Sequence, residues 1–282
     1  MDCVDLYKGQ DIKNWINITL GYKFSFFFDT NSPDYLLYNV FGSRHLDQKY
    51  NNCVKIAYFT ENKIPDLKEV DYALGFSHIN YLDRFLKHKL YYNKIIYYTI
   101  RKKYILNNSK KKKFCTAVIS NKNAFFRNKF ISELSKYKII DMGGHYKNNI
   151  NGNVKNKIEF LSSYKFSIAM ENSEADGYTS EKIFHSFISG TIPIYFGNYM
   201  IDEIFNPKSF ILIKSEKDFY NKIELIKKLD NDNKLYKNIL KLNTFINNKN
   251  NNKTKNELND EKKEFFLNIF NQDKSLAFRK DY

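Results

Sequence analysis

Residues 166–198 read FSIAMENSEADGYTSEKIFHSFISGTIPIYFGN, and this stretch decides the fold class. Two short apolar runs, 166–170 and 191–196, bracket a polar loop and one amphipathic segment. Short apolar runs bounded by turn residues read as buried strands, so the local order is strand, loop, helix, strand, which is a βαβ unit. The loop, residues 171–182, gathers Glu171, Asn172, Ser173, Glu174, Asp176, Gly177, Tyr178, Thr179, Ser180, Glu181 and Lys182 between a strand end and a helix start. In an open α/β sheet, ligands bind outside the carboxyl ends of the strands, and a helix N-terminus there offers unpaired N–H groups and a positive dipole end. A phosphorylated ligand suits that place. Thr179 or Ser180 can cap the helix. The dipole favours acids in a first turn, so Lys182 needs another reason to be there.

Outside this stretch, 282 residues are enough for two ordinary α/β domains, and 43% hydrophobic with 17% aromatic residues is the composition of a folded chain. The formal charge of +15 favours anionic partners, although Lys is spread along the whole chain and most of the excess faces water. Cys3, Cys53 and Cys115 show no C-x-x-C spacing and no even count, which points to a reducing compartment rather than a disulfide framework. The opening MDCVDLYKGQ is acidic and polar, unlike a secretory leader. No apolar run reaches the ~18 residues of a membrane-spanning helix. The expectation is a cytoplasmic protein with no transmembrane segment.

Toward the N-terminus, residues 22–28 (YKFSFFF) and 35–40 (YLLYNV) read as strands separated by a turn at Pro33. His45 lies in the loop that follows. Residues 55–65 (KIAYFTENKIP) form a strand that delivers the carboxylate of Glu61 at its end, before a turn closed by Pro65. Residues 70–76 (VDYALGF) give a third strand, and Tyr91, Tyr92, Tyr97 and Tyr98 offer aromatic faces to a sugar ring. The basic run 101–113 (RKKYILNNSKKKK) is a linker at the domain boundary; no aromatic-interleaved or helix-turn-helix pattern accompanies it, so nucleic acid is not an expected partner. Residues 114–120 (FCTAVIS) start the second domain as a buried strand, and 125–137 (FFRNKFISELSKY) carries a helical apolar stripe with Arg127 in its first turn. A cation there is again unfavourable to the dipole unless it faces an anion. Residues 139–141 read as a further strand and 154–164 as a helix; 210–213 form the last strand and 219–242 a helical region. Asp230-Asn231-Asp232 has the form of an Asp-x-Asp metal signature but sits in a polar interhelical turn, so no metal site is expected.

Several of these segments carry a resemblance. FSIAMENS, GYTSEKIF and GTIPIYFGN, with PDYLLYNVFG, VDYALGF and DMGGHYKNNI elsewhere, resemble the α-1,3/4-fucosyltransferases, glycosyltransferase family 10, in their soluble bacterial or viral form. Where many relatives have GYVTEK, this chain has Thr179 and Ser180 in place of Val and Thr. The resemblance implies an α/β protein of two Rossmann-like domains facing a central cleft, the GT-B architecture. The expected layout is an acceptor-binding domain over 1–110, a GDP-fucose-binding domain over 111–245, and a polar segment with a terminal helix over 246–282. It implies an inverting transfer of L-fucose from GDP-fucose to an oligosaccharide acceptor, with Glu61 as general base. Arg127, Asn172, Tyr178, Glu181 and Lys182 are the implied donor-binding residues, Arg127 and Lys182 on the diphosphate. No cofactor is implied, and a divalent metal would at most stimulate. Two other readings stay open: a glycosyltransferase of the same architecture using another nucleotide sugar, and a non-catalytic nucleotide- or glycan-binding module.

Overall fold

A computed structural model describes residues 6–29, 31–39, 41–59, 61–87, 113–246 and 255–279. They divide into two compact units, one within residues 1–92 and 253–282 and the other within 93–252. Tyr91, Tyr92, Tyr97, Tyr98 and the basic run up to residue 112 lie outside the described residues.

The first unit is built on four strands, β1 (Tyr35–Tyr38), β2 (Val54–Tyr58), β3 (Tyr72–Gly75) and β4 (Phe85–Lys87), in the order β1-β2-β3-β4. All pair in parallel, with Leu37 opposite Ile56, Ile56 opposite Tyr72 and Leu74 opposite Leu86. Parallel strands are covered on both faces and therefore read as continuous apolar runs; β2 and β3 are buried almost throughout. One core cluster joins Val54, Ile56, Tyr72 and Leu74 to Ile16 and Leu20 of the N-terminal segment and to Phe265, Phe266 and Ile269. The first two belong to helix α1 (Leu6–Thr19) and the residue after it; the last three belong to a helix at the far end of the chain, Lys255–Phe270. The N-terminal sheet thus takes part of its core from residues some 200 positions away. The carboxylate of Asp71, fully buried, accepts from the backbone N–H groups of Lys55 (2.8 Å) and Arg279 (2.7 Å), and Gln272 donates to the Tyr72 hydroxyl (3.1 Å).

No strand forms over residues 22–28. Gly21 and Tyr22 both take positive φ (61° and 58°), turning the chain after α1, and Phe24 and Phe26 then pack their rings on Phe270 at 6.0 and 5.0 Å. The alternation that reads as a strand serves a ring cluster on the terminal helix.

The second unit holds five parallel strands, β5 (Lys113–Ala117), β6 (Ile140–Met142), β7 (Tyr164–Ile168), β8 (Ile192–Tyr195) and β9 (Ile211–Leu212), in the order β6-β5-β7-β8-β9. Helix α2 (Phe125–Ser135) follows β5, α3 (Lys157–Ser162) precedes β7, and α4 (Glu181–Ile188) links β7 to β8, completing the βαβ unit read from residues 166–198. The main core packs Phe130 and Leu134 of α2 with Phe166, Ile168, Ile192 and Ile194. Residues 219–242 split into α5 (Phe219–Asn231) and α6 (Asn233–Lys241) because the side chain of Asp232 accepts from the Leu235 N–H and caps a second helix. Asp230 accepts from Lys138 (2.5 Å), Lys165 (2.9 Å) and the Tyr137 hydroxyl (3.1 Å). The Asp-x-Asp pair is therefore one buried ion-pair acceptor and one helix cap. The chain's last two helices, α7 (Lys255–Phe270) and α8 (Lys274–Ala277), belong to the first unit. Among the described residues no helix is long and apolar enough to cross a membrane, and no group of three or more His, Cys, Asp or Glu is placed to hold a metal ion.

Candidate functional site

Pairing between β7 and β8 runs on past both strands, through Ala169 N–H to Ile194 O and Glu171 N–H to Phe196 O, each 2.8 Å. It delivers Glu171, fully buried, at the carboxyl end of the sheet. The carboxylate accepts from the Ser180 N–H (2.8 Å) and from the Lys182 ammonium (2.7 Å), and the Ser180 hydroxyl lies 2.7 Å from either oxygen. Ser180 is the cap of α4, with its hydroxyl also facing the Lys182 N–H at 3.4 Å and accepting from the Lys182 ammonium at 2.9 Å. This carboxylate is the partner that a lysine in a first turn requires. Gly197 makes room for it: its φ is +149°, and a Cβ there would lie 2.5 Å from Glu171 Cγ. Only glycine adopts that backbone without strain.

Arg127, in the first turn of α2, is 1% exposed. One terminal nitrogen donates to Asn172 Oδ1 (2.8 Å) and to the Met170 carbonyl (3.4 Å), and the other donates to the Asn121 carbonyl (2.7 Å), while the buried Nε has no protein acceptor. Burial pulls its pKa down and the negative charge of Glu171 opposes that pull. The buried carboxylate thus pairs with Lys182 and its charge also reaches Arg127.

The loop between Glu171 and α4 is tied down by Asn198, 2% exposed. Its Oδ1 accepts from the Gly177 N–H (3.0 Å) and its amide donates to Thr179 Oγ1 (3.0 Å). Tyr178, between those two anchors, is 1% exposed. Glu181 presents a half-exposed carboxylate that accepts from Lys157 (3.1 Å). Burial would raise its pKa, but the charges of Lys157 and Lys182 outweigh that and hold it below the ordinary 4.5. One turn on, His185 is kept below its ordinary 6.5 by burial and by Lys157.

The structure joins Arg127 to Asn172 and pairs Lys182 with Glu171, the residue before Asn172, with Tyr178 and Glu181 on the adjoining loop and helix turn. Glu61 belongs to the other unit. It is half-buried three residues beyond β2, where Phe59 N–H still donates to Leu74 O (2.8 Å), and its own carbonyl accepts from the Lys63 N–H (2.8 Å). His45 is 4% exposed, stacked on Tyr38 at 4.1 Å and 3.7 Å from a Glu69 carboxylate oxygen, so it is part of that unit's packing. Sequence reasoning passed over Glu171, Asn198 and Lys157. The available signal was the dipole-opposed lysine, which demanded an acid close by in the fold.

The model of the glycosyltransferase family 10 (fucosyltransferase) C-terminal domain matches residues 108–268, more than half of the chain. The chain belongs to glycosyltransferase family 10. A second model, the N-terminal domain of the α-(1,3)-fucosyltransferase FucT, matches residues 1–97. Among curated family 10 proteins, the α-(1,3)-fucosyltransferase FucT of Helicobacter pylori is 32% identical over 241 residues, 73% of this chain and 50% of its own. The chain thus spans about half the length of that relative. A crystal structure of an α1,3-fucosyltransferase superposes with a TM-score of 0.79 at 27% identity, covering 97% of this chain and 90% of its own. Another, with GDP-fucose, superposes at 0.67 and 25% identity, covering 89% and 96%. The two parallel-sheet α/β units of this family 10 chain are those of the GT-B fold.

Proposed function

We propose that this chain is an inverting α-1,3-fucosyltransferase, moving L-fucose from GDP-fucose to O3, or to O4, of a GlcNAc- or Glc-containing glycan. The observation that carries the reading is the pair of cations, Arg127 and Lys182, gathered at the carboxyl end of β7 and the N-terminus of α4 in a chain that resembles a fucosyltransferase with GDP-fucose. A diphosphate leaving group gains negative charge as its bond to sugar C1 breaks, and preorganised cations stabilise that charge most where water is excluded. Arg127 and Lys182 would do this without a metal, a divalent ion at most adding to it. Glu181 would accept from the ribose hydroxyls, and Asn172 and Tyr178 would hold the nucleotide sugar.

Glu61 would act on the other substrate. As the acceptor oxygen attacks C1 from the face opposite the diphosphate, its proton passes to the Glu61 carboxylate. The new C1–O bond forms while the C1–O bond to phosphate breaks, and GDP departs. One displacement converts the β-linked donor into an α-L-fucoside. Incubating the protein with GDP-fucose, GDP-mannose and UDP-galactose over a glycan array, with linkage read by NMR, tests the reading. Transfer from GDP-fucose alone, giving an α-fucoside, is expected; transfer from another donor, or GDP binding with no transfer to any glycan, would overturn it.

A further inference from the structure

Glu171 is chemically out of place beside a diphosphate. A buried carboxylate costs several kcal/mol in lost hydration unless it is well paired, and a negative charge next to phosphates opposes their binding. Yet it is fully buried, with Ser180 and Lys182 as donors, and it faces the charge of Arg127. Its position is fixed from behind, because Gly197 fits against its Cγ and Tyr195 with no space for a side chain. The Lys182 ammonium has three N–H donors, and two already point at Glu171 Oε2 and Ser180 Oγ. One N–H is left for a phosphate, and a phosphate that takes more of this ammonium than that must draw it from a carboxylate held in place.

We propose that Glu171 is a positioning residue that holds Lys182 while the site is empty and competes with the diphosphate for it, weakening GDP binding and hastening release of GDP after transfer. The proposal rests on the reading of Lys182 as a diphosphate ligand. Glu171→Gln keeps the shape and an acceptor for the Ser180 N–H but removes the charge. Calorimetry should show GDP bound about tenfold more tightly by this variant than by the unaltered protein, the size of one nearby charge at partly screened distance. The KM for GDP-fucose should fall together with kcat, whereas a purely structural Glu171 would give weaker GDP binding. Lys182→Ala is titrated alongside. If it weakens GDP binding while Glu171→Gln leaves it unchanged or weaker, the competition is overturned and the diphosphate reading stands; if Lys182→Ala binds GDP as the unaltered protein does, both fall. A crystal structure of the unaltered protein with GDP decides independently of how the variants fold. The ammonium should lie beyond about 3.5 Å from Glu171, outside hydrogen-bond range, and an intact pair would overturn the proposal.

Discussion

At the carboxyl end of the second unit's sheet, the polar residues hold one another. Arg127 donates to Asn172, Lys182 to Glu171, Ser180 to Glu171, and Asn198 ties down the loop that carries Tyr178. At the corresponding end of the first unit's β2, the half-buried Glu61 follows a strand packed with Phe59, Ala57 and Tyr38. The difference suits the two tasks proposed for them. Binding a dianion tightly needs several donors whose positions are set beforehand, whereas accepting one proton needs one base on a rigid strand end. It also divides where robustness lies: the second unit's site draws on residues 121–198 of a single unit, while the first unit's core depends on a helix from the far end of the chain.

That division can be broken by substitutions. The largest expected effect on stability is in the first unit's core. Phe266, fully buried with Trp15 and Phe265 rings at 5.4 and 5.5 Å, should lose about 3 kcal/mol of stability as Phe266→Ala by urea unfolding. In the second unit, Arg127→Ala should weaken GDP binding by roughly a hundredfold in calorimetry, since it removes a cation and leaves Asn172 without its donor. Next is Asp230. Burial would raise its pKa, but hydrogen bonds from Lys138 and Lys165 outweigh that and hold it below the ordinary 3.8. A depressed folded pKa gives stabilisation that is present above the unfolded value and lost as pH falls through the folded one. Asp230→Asn should therefore lower stability near neutral pH and flatten its loss as pH falls through the acid range, read from urea midpoints. Smaller again is Gly197→Ala, whose new methyl meets Glu171 on a positive-φ backbone. It should cost about 1–2 kcal/mol in thermal unfolding and disturb GDP binding as well, sharpening the link between Gly197, Glu171 and Lys182.

The βαβ unit was legible because strand, loop, helix and strand follow one another within residues 166–198, each with its own period and cap. The role of Glu171 was not. Glu171, Glu174 and Asp176 look alike in a polar loop, and only the pairing of Glu171 N–H with Phe196 O carries the first of them into the interior. Residues 22–28 misled because alternation reports which side chains are buried and not whether the backbone is in a ladder; Phe24 and Phe26 are covered by Phe270 instead. The place of α7 in the first core was beyond reach for a related reason: its apolar stripe announces a buried face, and nothing local states that the face meets Trp15 and Tyr72. The site's contacts were readable where chemistry forced them, as with a lysine and an arginine at helix starts, and unreadable where a distant partner supplied the reason.

In the proposed reaction the two units divide the work, diphosphate to the second and proton to the first. The measurement that tests it most directly is GDP calorimetry paired with single-turnover transfer from GDP-fucose in Glu61→Ala. Affinity for GDP equal to that of the unaltered protein, with transfer lowered by about a thousandfold, is the predicted result. Transfer at the unaltered rate, or GDP binding lost along with transfer, would contradict it.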